Sequence, residues 1–128
     1  MSREDTHPLR KEVEGLLGLL SDRATVDPFE LALYQYDLAA VPSLLSRTLF
    51  RTLPDVVVRP KCTEEVASVL RYAALHSVPV TPRAAASTAY YNAVPVRGGI
   101  LLDLNALRGI VSVDRERETV TVLAATRW

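Results

Sequence analysis

Cysteine is nearly absent from this sequence. Cys62 stands alone among 128 residues. That excludes an intrachain disulfide and any site built from several thiolates, zinc and iron–sulfur centres included. Histidine is scarce too. His7 and His76 lie far apart and neither is near Cys62, so no metal site is expected. Net charge is also lacking, because Lys plus Arg and Asp plus Glu are both 15. Without a basic excess to neutralise phosphates, the chain is not expected to bind duplex nucleic acid; a local basic patch stays open. Lysine is confined to Lys11 and Lys61. Every other basic residue is Arg, whose planar fork suits phosphate or carboxylate. No apolar run nears the roughly 20 residues of a membrane helix. The opening MSREDTHPLRKEVE is polar and mixed in charge, unlike a secretory signal. The expected compartment is the cytoplasm.

What remains is ordinary globular material. Hydrophobic residues make up 48% and charged residues 23%, which suits one soluble domain with one core. There is no internal repeat and no low-complexity tract. Leu9, Val13, Leu16, Leu17 and Leu20 recur at helical spacing after Pro8, which can sit in a first turn. Gly15 and Gly18 weaken that helix by about 1 kcal/mol each relative to Ala, so it needs a partner surface. Residues 21–54 show no clean period and are expected to be irregular. Within them LALYQYDLA reads either as a short helix or as an extended segment.

The signals sharpen from Asp55. The β-branched run Val56–Val58 stops before Pro60 and predicts a short buried strand. CTEEVASVLRYAALHS predicts a helix with Val66, Val69, Leu70, Ala73 and Ala74 on its apolar face. Cys62 and Glu65 stand at capping-box spacing, and Thr63 competes as the cap. Val78-Pro79-Val80 predicts a second strand, which completes a βαβ unit. Pro82–Gly99 is a long loop. Ile100–Leu104 reads as a buried strand. Ile110–Asp114 and Thr119–Leu123 alternate around Arg115–Glu118 and predict an antiparallel hairpin. The chain stops at Trp128 without a cap or polar tail, as if cut mid-structure.

The candidate site is the loop TPRAAASTAYYNAVPVRGG. It follows the carboxyl end of a strand, where α/β folds place their ligands. Its small side chains let a ligand approach backbone N–H groups, which bind anions in concave nests. Ser87, Thr88 and Asn92 add polar groups, and Arg83 is the nearest charge for a phosphate. The bland alternative is a surface loop whose small residues pack under their neighbours. Tyr90 and Tyr91 either stack on a planar ligand or cover the edge of the core.

Residues 55–128 resemble the first part of the FAD-binding domain of the FAD-linked oxidase family, of vanillyl-alcohol oxidase (PCMH) type. The resemblance rests on an ordered set. It runs from VVVRPKCTEEV at Val56–Val66, through the strand–Pro–Arg entry at Val80–Arg83, to Ala93-Val94-Pro95. GGILLDLNAL at Gly98–Leu107 and the hairpin complete it. Tyr36-Asp37 adds a weaker match. Glycolate oxidase large subunits and D-lactate or D-2-hydroxyglutarate dehydrogenases are the most similar branch.

The resemblance implies an α+β fold, a βαβ unit followed by antiparallel strands. Residues 1–54 would form an N-terminal helical and irregular segment, and 55–128 the first lobe, cut short. It implies FAD, with contacts from Pro82, Arg83, Ala84, Ala85, Ala86, Ser87 and Thr88 and from Asn92, Ala93 and Val94. Relatives usually carry Gly where Ala84, Ala86, Tyr91 and Asn92 stand, and a position that needs positive φ is strained without it. The loop has no His or Cys, so the flavin would be non-covalent. The parent would oxidise a small 2-hydroxy acid held by a later domain and pass electrons to an acceptor subunit. No catalytic residue or metal ligand is expected in this chain. A fragment of this kind would expose apolar surface and self-associate. Two alternatives stand beside this: a truncated or degenerate module that keeps the fold without flavin, and a sugar or alditol oxidase branch. Among the remaining residues, Asp103 in a buried strand needs a partner. Asp37 is expected to accept structural hydrogen bonds, Arg97 to reach either a phosphate or solvent, and Cys62 and His76 to be structural.

Overall fold

The computed structural model describes residues 10–20, 22–39 and 52–127. Pro8 and Leu9 lie outside them, as do residues 40–51. The elements run α1 (Arg10–Leu19), β1 (Ala24–Thr25), α2 (Pro28–Ala32), β2 (Val56–Val58), α3 (Thr63–His76), β3 (Val80–Arg83), β4 (Ile100–Asp103), β5 (Ile110–Asp114) and β6 (Thr119–Val122).

The β2–α3–β3 unit forms, with β3 at Val80–Arg83 rather than at Val78–Val80, so that Pro82 and Arg83 belong to the strand and not to the loop, and β5 and β6 pair antiparallel. The residue pattern did not say where Ile100–Asp103 goes. It runs between the two strands of the unit, parallel to both, in the sheet order β1-β2-β4-β3. A strand with neighbours on both edges and covered faces carries no alternating polar residue, which accounts for ILLD. Residues 22–39 are more regular than expected. β1 pairs antiparallel with β2, and Asp27 caps α2, its Oδ1 accepting from the Phe29 and Glu30 amides. LALYQYDLA therefore begins helical and turns after Ala32.

Strand alternation sorts the core into two faces. Val56, Val58, Ile100 and Leu102 pack with Leu16 and Leu20 following from α1 and Val69 and Ala73 from α3. Val57 and Leu101 point the other way and meet Leu31 of α2, with Tyr34 against them. Gly15 faces α3, and a Cβ there would displace the end of the Tyr72 side chain. Cys62 occupies the N-cap position of α3 without a side-chain cap. The capping work falls to Glu65, which accepts from the Lys61 amide at 2.7 Å and pairs with Arg23. His76 is exposed and stacks on Tyr72, the ring centroids 4.3 Å apart.

The entry to β4 is tight. Gly99 has φ +76°, and a Cβ on it would sit 2.3 Å from the Pro79 carbonyl oxygen. That carbonyl accepts the Ile100 amide at 2.9 Å. Gly99→Ala combines left-handed strain with overpacking, so it is expected to destabilise the fold by about 3 kcal/mol, measured by urea unfolding. The Lys61 amide, with Arg23 after it, outweighs partial burial and holds the Glu65 carboxyl below its ordinary value of 4.5. A carboxyl depressed in the folded state adds stability above that value and loses it as pH falls. Glu65→Gln should therefore flatten the loss of stability between neutral and acid pH, followed as urea midpoint against pH.

Candidate functional site

β3 and β4 end together at the same edge of the sheet, with Arg83 directly opposite Asp103. The loop leaving β3 opens there into a cleft of about 770 Å³, a size typical of ligand sites. Pro82 through Thr88, Asn92 and Ala93 line it. Val94 is 2% exposed and is not on this wall. The opposite wall is Ala124 through Arg127, which sequence reasoning missed. In the sequence, ATR looked only like the ragged end of a hairpin. The fold returns it to the site because the Ala125 amide bonds the Leu107 carbonyl at 2.8 Å, and the Thr126 hydroxyl bridges the Gly109 and Leu123 carbonyls.

Among the described residues, no carboxylate lines this cleft. Its polar groups are hydroxyls, an amide, Arg side chains and backbone. That chemistry suits an anion approached through the main chain. Arg83, the nearest charge for a phosphate in the sequence, lines the cleft with its Nη1 already engaged. Its Nη1 donates to the Ala93 carbonyl at 3.1 Å and the Tyr34 carbonyl at 3.3 Å. Its guanidinium carbon lies 5.3 Å from the centre of the Tyr34 ring. Burial pulls its pKa down, against the opposing pull of Tyr34, Asp103 and Asp37. Arg97 is exposed and Tyr90 is 83% exposed.

The buried Asp103 has the partners its position demands. Tyr34 donates its hydroxyl to Asp103 Oδ2 at 2.7 Å. Asn105 donates its backbone amide and Nδ2 to Oδ1 at 2.9 and 2.7 Å. Burial, then the bond to Asp103, pushes the Tyr34 phenol up. Asp37 accepts from the Ala39 amide at 2.8 Å, closing a local turn.

Backbone strain is present at two of the four positions where Gly was missed. Ala86 has φ +52° and Tyr91 φ +61°, whereas Ala84 and Asn92 have no positive φ. The loop thus keeps a glycine-type backbone at non-glycine residues.

Residues 54–128 match the family profile described as FAD binding domain. The chain belongs to the FAD-binding domain family. Glycolate oxidase subunit GlcD of Bacillus subtilis (strain 168) is 30% identical over 89 residues, which is 70% of this chain and 17% of that protein. A D-lactate dehydrogenase of Anaerostipes hadrus is 33% identical over 69 residues, 54% of this chain and 14% of that protein. The chain therefore spans less than a fifth of the length of either relative. Among solved structures, an alkyldihydroxyacetonephosphate synthase superposes with TM-score 0.71 at 21% identity, covering 88% of this chain and 22% of the other. p-Cresol methylhydroxylase with substrate bound gives TM-score 0.65 at 24% identity, covering 81% and 20%. These place the fold in the PCMH-type FAD-binding class.

FAD is the cofactor of this family, and the cleft suits it. A pyrophosphate needs donors and no carboxylate facing it, and the described walls carry donors and no carboxylate. Among the described residues, no group of three His, Cys, Asp or Glu could hold a metal ion, and no helix is long and apolar enough to cross a membrane.

The φ values make a sharp test. Ala86→Gly should leave stability unchanged or raise it by up to about 1 kcal/mol, because it relieves left-handed strain. Ala84→Gly, at a position without that strain, should lower it by about 0.5–1 kcal/mol. Urea midpoints of the two variants check the contrast.

Proposed function

We propose that this chain is the FAD-binding portion of a flavin-dependent dehydrogenase or oxidase acting on a small 2-hydroxy acid of the glycolate or D-lactate kind. The observation that carries it is the carboxylate-free cleft of small residues at the carboxyl ends of β3 and β4. The similarity to GlcD and to D-lactate dehydrogenase supports the substrate class. In this reading residues 55–128 are the first lobe of the FAD domain and 1–54 a segment preceding it. Pro82–Thr88, Asn92 and Ala93 supply the cofactor contacts of the first wall. Thr126 and Arg127 supply polar groups from the second.

FAD, when bound, supplies the acceptor for a hydride leaving the substrate carbon. This chain's residues bind and orient it; the groups that hold the acid and take its proton lie elsewhere in the parent. Among the described residues no His or Cys lines the cleft, and in this reading the flavin is held without a covalent bond. Electrons pass to a separate acceptor subunit, and the protein works in the cytoplasm.

A second reading, a module that keeps the fold without flavin, is favoured by the strain at Ala86 and Tyr91. Titration with FAD separates the two. A saturable change in flavin fluorescence, with all flavin released on acid precipitation, supports the cofactor reading. No change with a folded chain supports the flavin-free module.

A further inference from the structure

The cofactor loop is held in shape from outside itself. Three of its cleft-lining residues have their carbonyls engaged by groups from other elements. The Ala84 carbonyl accepts Asn105 Nδ2 at 3.0 Å. The Thr88 carbonyl accepts the Leu38 amide at 3.0 Å. The Ala93 carbonyl accepts Arg83 Nη1 at 3.1 Å. Two of the three braces lead to one side chain. Arg83 also bonds the Tyr34 carbonyl and sits over the Tyr34 ring. Asn105 is oriented by Asp103, and Asp103 by the Tyr34 hydroxyl. The third brace, Leu38, lies four residues beyond Tyr34. Arg59, paired with Glu30 at 2.6 Å, places a second guanidinium 6.0 Å from the Tyr34 ring and fixes it from α2.

These bonds have an electrostatic consequence. A free carbonyl oxygen turned into the cleft would repel a phosphate. In a trans peptide the carbonyl and the following N–H point in opposite directions. Engaging the Ala84 and Thr88 carbonyls elsewhere sets the orientation of the Ala85 and Ala89 amides that follow them before any ligand arrives, while the bond to the Ala93 carbonyl ties down the far end of the loop, where the Val94 amide is taken by the Tyr91 carbonyl at 3.3 Å. Preorganised dipoles of this kind need no rearrangement on binding.

We propose that Tyr34, Asp103 and Asn105 are positioning residues for the FAD loop. The segment Tyr34–Ala39, which precedes the matched domain at 54–128, is then part of the cofactor site. This rests on the cofactor reading given above. The hydroxyl of Tyr34 acts through Asp103 and Asn105 on the Ala84 carbonyl; it does not touch the ligand.

The test uses the whole chain, with FAD as the probe and amide hydrogen exchange of the FAD-free chain as a second readout. Tyr34→Phe keeps the ring between its cations and removes only the hydroxyl. Asn105→Ala cuts the chain of bonds at its last step. Each is expected to weaken FAD binding about tenfold and to speed exchange in residues 84–93, with exchange in β2 and β4 unchanged. Asp103→Asn, which retains an acceptor for the Tyr34 hydroxyl, is expected to keep more affinity than Asp103→Ala. Wild-type affinity and wild-type loop exchange in both Tyr34→Phe and Asn105→Ala would overturn the proposal. Faster exchange spread over the whole sheet would also overturn it, by showing a general stability role. If the unmodified chain binds no FAD, the cofactor reading falls and this one with it; if it binds and the variants match it, this one alone falls.

Discussion

β4 is hydrogen-bonded along both edges, and the placement of every functional group follows from that. Its parallel pairing with β3 sets Arg83 opposite Asp103, so the loop departs beside the residue that will brace it. Its parallel pairing with β2 brings Val57 and Leu101 onto one face. α2 covers that face, and the chain after α2 carries Tyr34 across to Asp103. At its other end, Gly99 and Pro79 fix the register by a contact that no side chain could share. A slip of one residue would turn Asp103 to the opposite face and strand Tyr34.

The cleft, in the proposed reading, offers an anion mainly oriented dipoles. Arg83 lines it, yet its Nη1 is committed to two carbonyls. A buried guanidinium is best satisfied by bridging acceptors in its plane, and Arg83 does so between the loop and the segment after α2. What faces an anion is then backbone, hydroxyl and amide, with Arg127 from the second wall. Oriented amides at a site with few carboxylates are enough to hold a phosphate. They leave the ligand's position to the shape of the main chain, which is why that shape must be enforced.

The local elements were legible because their signals are local. Three successive valines, an apolar face from Val66 to Ala74 and a charged turn at Arg115–Glu118 each name their own structure. The loop too was legible as a run of small residues leaving a strand end, and a cleft opens there. Strand order was not legible, because ILLD reads the same at the centre of a parallel sheet as in any buried strand. The carbonyl partners of Arg83 were not legible for a related reason. Charge and proximity to a loop are visible in sequence, whereas the carbonyls that capture the charge come from Tyr34 and Ala93, 49 and 10 residues away. The second wall at Ala124–Arg127 carried no signal except its small residues. Asp103 and Asn105 did carry one: a carboxylate in a buried strand, followed at two residues by an amide, calls for a shared partner.

The glycine-poor loop is explained by the same braces. A left-handed non-glycine residue costs about 1–2 kcal/mol, as at Ala86 and Tyr91. A glycine at either position would avoid that strain but lose about 0.5–1 kcal/mol more in chain entropy on folding. The net disadvantage is therefore about 1 kcal/mol per position. One intramolecular hydrogen bond contributes about 1 kcal/mol, and three reach this loop from Asn105, Leu38 and Arg83. They are sufficient to hold the strained backbone at both positions. Glycine is then dispensable here because the conformation is imposed from outside, and the fold keeps the loop's shape without the residues that usually permit it.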